Sequence, residues 1–187
     1  MDTYSISNLA VDLRSAIGEA GDERDILSRV RPLAQRAALS KDSWLEERFY
    51  SADPQQGFGV HLLHEDPGHG LTIFAVSWLP NRGAPPHDHG TWAVIAGVDG
   101  PEKNEFFERL DDRSRPGYAE LKKVGEKVFR VGDVLAMRTG QIHSIWNESS
   151  STSLSLHIYG RNIQFTGRSQ FDVQGKSETP FVLKVQE

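Results

Sequence analysis

The 187-residue sequence contains no cysteine. Disulfide staples, thiolate zinc sites and a cysteine nucleophile are therefore excluded within this chain. Excess basic charge is also missing: 21 basic against 26 acidic residues leave a net charge of −5. A nucleic-acid partner, which needs a concentrated basic face, is not expected. The densest basic stretch, residues 122–130, is broken by Gly125 and Glu126 and reads as a solvated strand edge. No apolar run approaches the ~18 residues of a membrane span. Residues 1–10 carry Asp2 and have neither a basic region nor an apolar run, so no signal peptide is expected and the cytoplasm is the default location.

What remains is an ordinary globular composition, 37% hydrophobic and 25% charged. The length predicts a single domain over residues 1–187, and a monomer is the expectation. Residues 1–50 have helical periodicity. Leu9, Val11, Leu13 and Ile17 form one apolar stripe, and Ile26, Leu27, Val30, Leu33, Ala34 and Ala37 form another. Residues 40–43 offer caps for a third, short helix before Trp44. From Phe58 the pattern changes to short apolar strands: residues 71–79, 92–98, 118–121, 127–131, 134–138, 143–147 and 154–159, separated by Gly, Pro, Asp and Asn. The expected fold is mainly β, an antiparallel barrel over residues 58–187 under a helical cap of residues 1–50.

Two local patterns carry chemistry. In His87-Asp88-His89, residues i and i+2 of an extended chain share a face, so both imidazoles converge while Asp88 turns away. In Ser155-Leu156-His157-Ile158-Tyr159, the same alternation sorts serine, imidazole and phenol onto one face and the two aliphatics onto the other. A hydroxyl, an imidazole and a phenol in register can form a hydrogen-bonded relay beside a cavity.

A third pattern, Gly132, five residues, Arg138-Thr139-Gly140, two residues, His143, three residues, Asn147, resembles the second motif of the cupin superfamily at every position except Arg138, where that family has proline. The resemblance implies a double-stranded β-helix (jelly-roll barrel) and makes His143 a metal ligand beside His87 and His89. The glutamate ligand that usually follows the first cupin motif is absent; Gly90-Thr91-Trp92-Ala93-Val94 stands there, and the next acid is Glu102. Three neutral imidazoles leave the full charge of a divalent ion and up to three coordination positions for substrate and oxygen, but imidazole suits iron, zinc, copper and nickel alike.

Together, H-D-H, His143 and S-x-H-x-Y resemble the thiol dioxygenases, the cysteine dioxygenase-like branch of the cupins. The likeness extends from Trp44-Leu45 and Asp53-Pro54 through Leu62-Leu63-His64 to Gly167-Arg168-Ser169-Gln170-Phe171-Asp172. It implies Fe(II) on His87, His89 and His143, an outer triad of Ser155, His157 and Tyr159, and oxidation of a small thiol to its sulfinate with O2. The chain looks most like the bacterial 3-mercaptopropionate dioxygenases. Without cysteine it cannot form the cysteine–tyrosine crosslink of the mammalian cysteine enzymes. Val60 stands where those enzymes hold the substrate carboxylate with arginine, and where the bacterial type has a polar residue. The resemblance places the carboxylate on Arg168, with Arg161 as the rival.

Two other readings stay open: a cupin that binds metal or ligand without turnover, and a cupin oxygenase acting on a non-thiol substrate. His61, His64 and His69 read as structural or surface residues. Trp44, Trp78, Trp92 and Trp146 read as core or cavity wall, with Trp92 and Trp146 close after ligand histidines. Residues 105–112 form a charged run that reads as solvated surface.

Overall fold

Two polar side chains start the N-terminal helices. Ser5 caps α1 (Ile6–Gly18) by accepting the Asn8 backbone N–H, while the Asn8 side chain accepts the Ser5 N–H in return. Asp22 caps α2 (Glu23–Leu39) by accepting from the Asp25 N–H. Each cap satisfies helix donors that have no partner within the helix. α2 buries Leu27, Val30, Ala34, Ala37 and Ala38, close to the expected stripe. α1 buries Leu9, Ala10 and Leu13 but leaves Val11 61% exposed. Two residues at about 100° each carry Val11 to the far side from Leu9, so the expected stripe was wrong at that position. The third helix is a single 3-10 turn, Lys41–Ser43.

The structure, a computed structural model, describes residues 3–186; Met1, Asp2 and Glu187, at the ends of the expected ranges, lie outside them. The strands are β1 (Phe58–Glu65), β2 (Thr72–Trp78), β3 (Arg82–His87), β4 (Ala93–Asp99), β5 (Glu102–Arg109), β6 (Leu121–Phe129), β7 (Val134–Met137), β8 (Ile142–Asn147), β9 (Ser153–Tyr159), β10 (Ser169–Asp172) and β11 (Ser177–Pro180). They form two antiparallel sheets, ordered β1-β2-β9-β4-β7 and β11-β10-β3-β8-β5-β6. From β3 to β10 the chain crosses repeatedly between the two sheets, as in a double-stranded β-helix. The expected fold class is the one observed.

The middle of the first sheet, β2, β9 and β4, is buried on both faces. Leu154, Leu156 and Ile158 of β9 join Ile73, Ala75, Val94 and Ala96 in a cluster beneath α1 and α2. Tyr159 turns the other way, joining Phe74, Val76, Trp78, Met137 and Ile145 inside the barrel. A strand covered on both sides reads as a near-continuous apolar run, which is why residues 71–79 are so legible.

The expected strands lack β1, β3, β5, β10 and β11 and divide β6 in two. β3 runs from Arg82 through Gly83, in a stretch given no strand from the sequence, and carries Pro85-Pro86 where its pairing with β8 slips between Ala84 and His87. Proline cannot donate to a ladder, and such a slip is where a strand tolerates it. β5 occupies much of the supposedly solvated charged run and lies between β8 and β6. Residues 118–121 and 127–131 are not two strands: Tyr118 makes an isolated bridge to Ser177, and Leu121 opens the nine-residue β6. Gly125 sits at that strand's irregularity, opposite Phe106, so glycine here marks a bulge rather than a turn. β6 is the exposed edge that the basic stretch suggests.

Candidate metal centre

β3 and β8 are paired with His87 directly opposite His143. His89 reaches the same point by another route. β3 ends at His87, so simple strand alternation does not place His89. The chain turns instead at Gly90, whose φ of +63° suits glycine, and a Cβ there would meet Thr166 at 2.7 Å. The Asp88 N–H donates to Ser169 O at 3.1 Å and the Asp88 carboxylate accepts the Ser169 N–H at 3.0 Å. Asp88 therefore faces away from the cluster, as expected, and ties the H-D-H segment to the residue after Arg168.

The three imidazoles are buried, with one ring nitrogen of each within 4.8 Å of the others. His87 Nδ1–H donates to Pro85 O at 2.8 Å and His143 Nδ1–H donates to Asn104 Oδ1 at 2.8 Å. Both bonds fix the tautomer that leaves Nε2 as the free donor atom. The Nε2 atoms of His143 and His89 lie 3.3 Å apart, the spacing of two nitrogens each about 2.1 Å from one ion. Burial holds the pKa of His87 and His89 well below the ordinary histidine value and that of His143 down to about 3. All three are thus neutral, the form in which imidazole binds a metal. The donor set fits a divalent transition metal and does not select among them.

The relay residues stand beside this cluster. Ser155 Oγ is 2.8 Å from His157 Nε2, and His157 Nδ1 is 2.8 Å from the Tyr159 hydroxyl. The Tyr159 ring lies 5.2 Å from that of His89. Burial lowers the His157 pKa to about 3 and raises that of Tyr159, so both are neutral.

Arg168 is 5% exposed, and its Nε and Nη2 find no hydrogen-bond partner among the described residues. Its guanidinium sits 4.2 Å over the Phe181 ring, and burial lowers its pKa only to about 10, so the charge persists at neutral pH. Arg161 is exposed. A narrow cavity, partly open to solvent, is lined by His87, His157, Tyr159 and Arg168 and by apolar side chains including Val60, Val76 and Phe181. Phe181 and Leu183 come from the C-terminal segment, whose Gln186 bonds the Val60 backbone in both directions.

Other residues resolve plainly. Trp92 packs beneath the helices against Gly160, and Trp146 is 47% exposed on the far face, so neither shapes this cavity; Trp78 does. His61 bonds Ser51 O, His64 joins Arg14 and Asp66, and His69 pairs with Glu65 and stacks on Phe165. The motif residue Asn147 braces backbone, donating to Trp78 O and Ser151 O. Two interior residues escape the sequence reading, Asn104 and Glu102. Their signal was the alternation Glu102, Asn104 against Lys103, Glu105, hidden by the charges around it.

No family model matches the sequence. An oxalate oxidase solved in complex with the substrate analogue glycolate is similar at a TM-score of 0.48 and 19% identity, over 81% of this chain and 66% of that one. The chain therefore spans slightly less than two thirds of that protein's length. A Klebsiella pneumoniae protein with a double-stranded β-helix domain is similar at 0.48 and 10% identity, over 67% and 88%. The cupin domain of Cnp3 from Schizosaccharomyces pombe is similar at 0.45 and 10% identity, over 57% and 66%. Among the described residues no helix is long and apolar enough to cross a membrane.

Proposed function

We propose that the chain is a non-haem Fe(II)-dependent thiol dioxygenase that converts a small thiol carboxylate and O2 to the sulfinate. The observation that carries this reading is the unpartnered Arg168 guanidinium in the cavity that His87 also lines. A buried cation without a partner costs several kcal/mol, and an anion entering the cavity offsets that cost. The planar guanidinium suits a carboxylate held through two parallel bonds.

His87, His89 and His143 would hold the iron. When bound, it supplies the redox chemistry and the acidification of a coordinated thiol. The remaining work belongs to the chain. Arg168 orients the substrate by its carboxylate. Tyr159, held by His157, presents its hydroxyl to the reacting groups. Val60, Val76, Phe181 and their neighbours exclude water and strengthen both interactions.

The apolar wall favours 3-mercaptopropionate over cysteine. Val60 and its neighbours offer no acceptor for an ammonium group, and Arg168 would repel one. Oxygen uptake by the Fe(II)-loaded protein with 3-mercaptopropionate, cysteine and cysteamine tests the proposal. Uptake is expected to be fastest with the first; no uptake with any of the three contradicts it. A cupin that only binds metal gives no role to the Ser155–His157–Tyr159 chain.

A further inference from the structure

Glu102 is a buried acid for which the reading above has no use. It opens β5, is 4% exposed, and points into the barrel end where β2 and β9 meet. Ser155 and Trp78 face its carboxyl as hydrogen-bonding neighbours, but neither contact closes into a well-formed bond. Glu102 Oε1, Trp78 Nε1 and Ser153 Oγ all lack partners among the described residues. Ser155 is also the first member of the chain that ends at Tyr159.

Neutral His157 carries one ring proton, so the chain has two directions. In one, Tyr159 O–H donates to His157 Nδ1, His157 Nε2–H donates to Ser155 Oγ, and the Ser155 hydroxyl needs an acceptor beyond it. A carboxylate at Glu102 is that acceptor. In the other, the Ser155 hydroxyl donates to His157 Nε2 and His157 Nδ1–H donates to the Tyr159 oxygen, which frees the Tyr159 proton for the cavity. Ser155 Oγ then accepts, and a protonated Glu102 is the donor. Ionised Glu102 can only accept and so favours the first arrangement, while only the protonated acid can donate to Ser155 Oγ in the second.

We infer that Glu102 is a positioning residue whose protonation sets the direction of the Ser155–His157–Tyr159 chain, and so decides whether Tyr159 donates into the cavity or away from it. The role of Tyr159 as donor rests on the function proposed above; the coupling of Glu102 to the chain does not.

The surroundings bring the Glu102 titration up to near neutrality. Burial raises the Glu102 pKa to about 7, with Ser155 and Trp78 holding back part of the rise. Among the described residues no cation offsets it. Lys103, next in β5, turns outward to Glu148 at 3.0 Å. Phe129 of β6 stands opposite Glu102, with the Lys127 ammonium over its outer ring face at 4.7 Å. Asp99 at the end of β4 is bonded to Tyr50. From β9, Tyr159 feels the Glu102 charge as a further push upward, and His157 is neutral.

The test is the His157 tautomer, read by 15N NMR on the full chain loaded with Zn(II), with the Glu102 carboxyl followed by 13C in the same titration. Below pH 7 the proton is expected on Nδ1, above it on Nε2, with a complete exchange tracking the Glu102 titration. Glu102→Gln is expected to abolish the pH dependence, and Ser155→Ala to abolish it while Glu102 still titrates. A His157 tautomer unchanged across the wild-type titration of Glu102 overturns the inference, and needs no variant. Oxygen uptake is assayed separately. Uptake without tautomer exchange removes Glu102 and leaves the thiol reading; exchange without uptake does the reverse.

Discussion

His143 Nδ1 donates to Asn104 Oδ1 at 2.8 Å, a bond buried between adjacent strands β8 and β5. It orients the imidazole and presents Nε2 to the point that His87 and His89 also reach. Asn104 is 1% exposed and belongs to a strand whose outer residues are charged. The ring position of one ligand thus depends on a residue thirty-nine positions earlier, in a segment that looks like solvated surface.

Asn104→Ala is expected to weaken divalent-metal affinity by about 10–100-fold, the usual cost of losing such a support. Competition titration with a chelator measures it. The neutral histidines make a second expectation: their pKa values are depressed, so protons displace the metal only well below pH 6.5. Unchanged affinity in Asn104→Ala would leave His143 held by packing alone.

Arg168→Ala removes the guanidinium that lines the cavity. KM is expected to rise by about 100-fold or more for 3-mercaptopropionate, as for the loss of a buried charge-assisted contact of about 3 kcal/mol. Cysteamine, which has no carboxylate, should be nearly unaffected. Steady-state oxygen uptake with both thiols gives the comparison, and equal effects on the two remove Arg168 from carboxylate binding.

Glu102 makes stability depend on pH. Its pKa rises on folding from 4.5 to about 7. The folded state therefore binds this proton more tightly than the unfolded chain. The sign follows: the associated stability is fully present below pH 4.5 and is lost as pH rises through about 7. The size is about 3 kcal/mol. Relative to Glu102→Gln, the wild type should lose that much between those limits in denaturant titrations. A constant difference between the two proteins across the range would mean that the acid is not buried in its charged form.

Much of the fold was legible because its two periodicities are clean. β2 and β9 are buried on both faces and read as apolar runs, and the 155–159 alternation sends each side chain to the side its polarity suggests. β3 and β5 were not legible. Pro85-Pro86 is extended but cannot donate to a ladder, and the pairing with β8 skips both residues, so the segment lacks the signature of a strand. β5 carries charge on its outer positions, so the two residues it sends inward, Glu102 and Asn104, were lost among them. His87 and His143 face each other across a strand pair, in keeping with the motif resemblance that brought His143 to the site. His89 needed the Gly90 turn and the Asp88–Ser169 bonds, which join segments more than seventy residues apart and leave no local trace.

The most direct test of the central claim is the fate of oxygen. Fe(II)-loaded protein is given 3-mercaptopropionate under 18O2, and the product is read by mass spectrometry. The account predicts a sulfinate carrying both labelled atoms, made in proportion to the oxygen consumed. Disulfide or unlabelled sulfinate as the product, or no reaction by protein shown to hold iron on the three histidines, would contradict it.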